Sequence, residues 1–107
     1  SVAHAAHAQG QQVVKHTHGE FGLAAAASQH VLLTLPNAAT GHQQTAQMMR
    51  DDILAEPIPI RTGPSWGRID APGLGVTVDE TKLRHYHEAY LRQGEYVTWG
   101  TGFKPRR

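Results

Sequence analysis

The sequence predicts an α/β fold built on parallel strands, and three observations carry that prediction. The first third of the chain reads helix, strand, helix in quick succession, the alternation that lays helices over a parallel sheet. The stretch 21–35 is apolar nearly all round, as a helix buried on more than one side is. A last helix, beginning at a capping Asp79, follows a long glycine- and proline-punctuated loop. At 107 residues there is room for one small domain with a modest core.

Residues 1–9 are alanine-rich, and Gly10 stands where a helix C-terminal glycine would. Val13 and Val14 centre a short buried strand over 12–16. Gly19 and Glu20 open the helix 21–35, which Pro36-Asn37 stops. A short strand is expected around 38–41, and a short helix over 45–52 with Arg50, Asp51 and Asp52 at its solvated end. Pro57 and Pro59 force 56–60 to be extended. Residues 62–75 read as ordered loop, with Trp66 packed as its anchor. Asp79 caps the last helix, with Thr77 and Glu80 as an alternative capping box. Leu83, Tyr86, Tyr90 and Leu91 form its apolar stripe, and it ends at Gly94. Residues 95–99 suit a short closing strand.

Composition excludes several classes. The formal net charge of +1 gives no electrostatic footprint for nucleic acid. There is no cysteine, hence no disulfide or thiolate metal site, which fits a cytoplasmic enzyme. The longest apolar run is far too short to span a membrane. The eight histidines are scattered, unlike a metal-binding tract. His16 and His18 stand out because residues two apart on a strand share a face. At the C-terminal end of a parallel strand, ligands and catalytic groups gather. The pair could be hydrogen-bonded loop residues, two ligands of a zinc, iron or copper site that needs further ligands, or a proton-transfer group. Residues 10–18 are similar to the opening of a cupin motif, but Glu20 comes too early for it and a helical run follows.

Two blocks resemble a known family. "VVKHTHGEFGLAAAASQHVLLTLP" is similar to the seventh strand and helix of the barrel in the enolase superfamily, nearest its mandelate racemase and sugar-acid dehydratase branch, including glucarate dehydratase-like proteins. "SWGRIDAPGLGVTVDETKLRHYHEAYLRQG" resembles the same family's C-terminal segment, with its "PGLGV" turn and following helix. The resemblance implies the C-terminal fragment of a (β/α)8 TIM-type barrel. Residues 1–56 would supply the last strand–helix units, and 57–107 the C-terminal extension and closing helix. It implies that His16 is the catalytic base, with a spacing to His30 and Pro36 that agrees with the dehydratase pattern. It implies that His18 contacts substrate, that Glu20 caps the helix or supports the site, and that His30 is a packing residue. Where relatives carry an acid at the end of the eighth strand, this chain has His42, Gln43 and Gln44. The two glutamines are taken as substrate-binding hydrogen-bond donors.

The implied chemistry is removal of the proton α to a carboxylate of a sugar acid or other small acid, leading to dehydration or racemisation. The implied cofactor is Mg²⁺, with ligands on earlier strands, so no metal ligand is expected in this chain. The implied partners are the remainder of the barrel and, for the complete enzyme, further copies of itself. Alone, these residues are expected to be inactive. The alternatives are a non-catalytic α/β binding or assembly module and, third, a metal-binding protein built on His16-Thr17-His18.

Overall fold

The computed structural model describes residues 1–17, 19–39, 41–58, 68–97 and 102–104. Helix α1 spans Val2–Ala8. Ser1 caps it, its Oγ accepting from the backbone N–H of His4. Gly10 sits at φ 68°, the left-handed conformation glycine adopts without a Cβ penalty. With it, Gly10 N–H reaches His7 O and Gln11 N–H reaches Ala6 O, both at 2.9 Å, closing the last turn as a Schellman motif does.

The predicted strand at 12–16 is reduced to a single parallel bridge between Val13 and Ala38. Val13 N–H donates to Asn37 O, and Ala39 N–H donates to Val13 O. A regular parallel ladder would next pair Lys15 O with the N–H of residue 41. Instead Gln43 N–H donates to Lys15 O, two residues later, and the imidazole of His42 takes the place of a backbone acceptor, with Nδ1 2.9 Å from Lys15 N. This two-residue shift of partner ends the regular pairing. Val14 is 63% exposed, which corrects the expectation of a buried strand centre.

Helix α2, Gly22–Leu33, joins the two parallel segments and so completes a β–α–β unit. Its alanines are the best helix formers. Phe21 offers no side-chain cap; Asp52 supplies one from thirty residues on, its Oδ2 accepting from Gly22 N at 2.8 Å. Asp52 is therefore no part of a solvated helix end. Thr34 closes the helix by donating Oγ1–H to Val31 O at 2.7 Å. The buried face of α2 is Gly22, Ala25, Ala26 and Gln29, the i, i+3, i+4, i+7 stripe. Val31 and Leu33 remain more than half exposed. The helix thus buries one face here, not several.

The core is small. Ala25 and Ala26 pack with Leu54 and Ile58, flanked by Ala46, Ile69 and Val76. The expected helix at 45–52 is one 3-10 turn, Ala46–Met48. Leu54 bridges antiparallel to Val78, with Asp79 N–H donating to Ile53 O at 2.8 Å. Helix α3, Glu80–Gln93, is capped by the Asp79 carboxylate, which accepts from the N–H groups of Thr81 and Lys82. The alternative capping box is not used. Gly94 ends the helix at φ 81°. Strand β1, Glu95–Val97, pairs antiparallel with β2, Gly102–Lys104. The closing strand was legible in the sequence; its partner was not. Trp66, Pro59 and residues 98–99 lie outside the described residues.

Candidate active site

The two parallel segments end side by side at residues 15–17 and 42–45, at the N-terminal end of α2. Side chains alternate along an extended segment, and here the alternation divides the labour. The odd residues Lys15, Thr17 and Gly19 are engaged with the neighbouring segment. His16 is exposed, and no hydrogen bond joins its ring to another described residue.

Lys15 organises the engaged side. Its ammonium lies 3.1 Å and 3.2 Å from the two carboxylate oxygens of Glu20 and 2.6 Å from Ser28 Oγ on α2. It also donates to Gln44 Oε1. Ser28 Oγ passes its own hydrogen to Ala25 O. The Lys15 and Glu20 side chains are only 13% and 11% exposed. An ion pair so far from water stands only if its remaining polar valences are hydrogen-bonded, and here they are. Thr17 Oγ1 lies 2.9 Å from Glu20 Oε1 and 3.2 Å from both Gln43 O and Thr45 Oγ1. Thr45 Oγ1 accepts from Gly19 N at 2.9 Å. Because Lys15 N–H donates to His42 Nδ1, that nitrogen carries no hydrogen, and the ring's hydrogen is on Nε2.

The residues expected to meet substrate are distributed as follows. His16 is on the open side. Gln43 has an exposed side chain, while its backbone binds Lys15 O. Gln44 is buried, with Oε1 taken by Lys15 and Nε2 facing no acceptor among the described residues. His18 lies outside the described residues. His30 Nε2 lies 3.2 Å from Leu74 O, tying α2 to the loop that precedes α3.

Lys15, Ser28 and Thr45 were missed by the sequence reading. For Lys15 a signal was available in the alternation Lys15-His16-Thr17, whose flanking residues share the face opposite the imidazole. The partners on the second segment depend on tertiary register and left no such trace.

Four acids near these segments and helix ends are committed. Glu20 holds Lys15 and Thr17; Asp52 caps α2; Asp79 caps α3. Asp51 accepts from Tyr86 O–H at 2.6 Å and from Lys82 at 3.1 Å. Among the described residues no three His, Asp or Glu converge as a metal site would require. These residues do not fit a magnesium centre. No described helix is long and apolar enough to cross a membrane.

Residues 1–82 match the family model described as enolase C-terminal domain-like. Among solved structures, the chain is similar to the crystal structure of an enolase from Streptomyces coelicolor, described as a candidate sugar isomerase and solved without magnesium and with an ordered loop. The two share 34% identity with a TM-score of 0.69, over 85% of this chain and 24% of that one. The chain thus spans less than a quarter of that relative's length. A search of curated proteins returns no match.

Proposed function

The chain belongs to the enolase C-terminal domain-like family, an α/β barrel-related family, and on that premise we propose that it forms the C-terminal part of a (β/α)8 barrel enzyme. That enzyme removes the proton α to the carboxylate of a sugar acid or a similar small acid. The observation that carries the reading is the strand end itself. His16 is exposed, with no partner among the described residues, on one side of a segment whose other side is fixed by a part-buried ion pair.

A neutral imidazole there takes the α proton when held within hydrogen-bond reach of it. The imidazolium then returns the proton to a departing hydroxyl, which gives dehydration. Reprotonation from the opposite face by another group gives racemisation. His18, two residues on, and the amide of Gln43 are the groups proposed to orient the substrate. Gln44 has only its Nε2 to offer, because Lys15 occupies its oxygen. The magnesium ligands of such an enzyme are assigned to residues outside those described.

His16→Asn, made in the protein expressed from its complete coding sequence, tests the reading. Solvent deuterium incorporation at the α-carbon would be followed over a panel of aldonic and aldaric acids. Loss of a general base predicts a fall of about 10²–10⁴-fold. Incorporation by the variant at the unsubstituted rate overturns the assignment of His16.

A further inference from the structure

We propose that Lys15 and Glu20 are positioning residues for His16. Their part-buried ion pair fixes the backbone on which the imidazole stands. The inference rests on the reading of His16 as the base, and its argument is geometric.

His16 is flanked by two residues that are each held several times. Lys15 is held through its backbone N–H by His42, through its carbonyl by Gln43 N–H, and through its ammonium by Glu20, Ser28 and Gln44. Thr17 is held by the same Glu20 carboxylate and by the Gln43–Thr45 segment. Glu20 therefore grips the residues on both sides of His16 at once. Through Lys15 it also joins the first segment to the second segment and to α2. None of these groups faces the open side, so they act on His16 only through its backbone. A shift of about 1 Å in a reacting group is enough to cost about 10²-fold in rate, which is why such a clamp matters to a base that has no hydrogen-bond partner of its own among the described residues.

The experiment uses the protein from its complete coding sequence, labelled at the histidine Cε1 position, with the His16 resonance assigned by its loss in His16→Asn. Removing one partner alone would strand a buried charge, so the main variant is the double substitution Lys15→Met, Glu20→Met, since neutral replacement of a whole buried pair is tolerated. Glu20→Gln, whose amide oxygen can still accept from Thr17 and Lys15 while Ser28 and Gln44 go on accepting from the Lys15 ammonium, is the second variant should the double one fail to fold. In the folded variant the His16 resonance is expected to move or divide. On any panel acid that turns over, kcat is expected to fall about tenfold or more, on the scale of such misplacements, with KM within about twofold. A folded variant with an unmoved His16 resonance and unchanged kcat overturns the proposal. The resonance needs no substrate, so this outcome is separable from failure of the base assignment, which shows as undiminished deuterium incorporation in His16→Asn.

Discussion

Asp51 shows how a single side chain can hold a helix in place. Tyr86 O–H donates to one of its oxygens at 2.6 Å, and Lys82 on the same helix reaches the other at 3.1 Å. The carboxyl is lowered from 3.8 to about 2, first by Tyr86, then by the backbone N–H of Asp52 and by Lys82. Tyr86 is raised above 10.0, because the Asp51 carboxylate favours the phenol that donates to it. The signs define a window. A lowered carboxyl stabilises the fold above the unfolded value and loses that contribution as pH falls from about 4 through about 2. A raised phenol contributes below pH 10.0 and loses its contribution as pH rises beyond. Tyr86→Phe removes the largest cause, so the Asp51 carboxyl should titrate higher, toward 3.8, with the smaller effects of Asp52 N–H and Lys82 remaining. Carbon-detected NMR of the Asp51 carboxyl measures this directly. A midpoint still near 2 would assign the depression to Lys82 and the backbone instead. The sequence placed Tyr86 on an apolar stripe, and its ring does lie 6.3 Å from that of Phe21. Its hydroxyl's partner, thirty-five residues upstream, was beyond any local pattern.

At the scale of the element, α2 was the easiest to read and the easiest to misjudge. Its existence and its end to within two residues follow from alanine content and from Pro36-Asn37. Its starting device does not, because the cap is the distant Asp52 rather than a neighbouring residue. That arrangement depends on Gly22. A Cβ built there would stand 2.3 Å from Asp52 Oδ2 and 2.5 Å from Leu54 Cδ1. Alanine would gain about 0.8–1.0 kcal/mol in helix propensity. Against that stand overpacking of Leu54, which costs roughly 1–3 kcal/mol, and loss of the cap, about 0.5–2 kcal/mol. The clash wins, and Gly22→Ala should destabilise by roughly 1–3 kcal/mol on those figures, seen in the midpoint of denaturant unfolding. A gain in stability would mean that Asp52 moves aside at no cost. The first extended segment teaches the converse lesson. Val13 and Val14 marked it correctly, but its length was overestimated because the sequence gives no warning that His42 interrupts the ladder. The histidine pair was conspicuous; the lysine between the valines and the histidines, which anchors the segment, was read only as part of a motif.

The whole molecule is less compact than its size allows. A 107-residue domain should have a radius of gyration of about 13 Å, whereas this chain has 16.5 Å and extends 49 × 31 × 25 Å. Its accessible surface is 8156 Å², against roughly 5,900 Å² for a compact monomer of this mass. Among the described residues the buried hydrophobic cluster is Ala25, Ala26, Leu54 and Ile58, and two of those side chains are large. Meanwhile Val14, Val31, Leu33, Tyr90 and Leu91 are each between 45% and 63% exposed. They lie on the parallel segment and on the helices α2 and α3, elements that in an α/β barrel-related fold have neighbours on more than one side. The match covers 85% of this chain but only 24% of the matched enolase, and we attribute the missing cover to the remainder of such a barrel. The 107 residues expressed alone should therefore show no cooperative thermal transition and should bind a hydrophobic dye such as ANS strongly. In the complete protein, Val31→Asp should lower the unfolding midpoint by several degrees, because a covered valine is replaced by a charge that needs water. Calorimetry with an amide NMR spectrum decides the first point. A monodisperse monomer with one sharp transition and dispersed amides would show that these residues suffice for a fold, and the exposed faces of α2 and α3 would then need another explanation than an absent barrel.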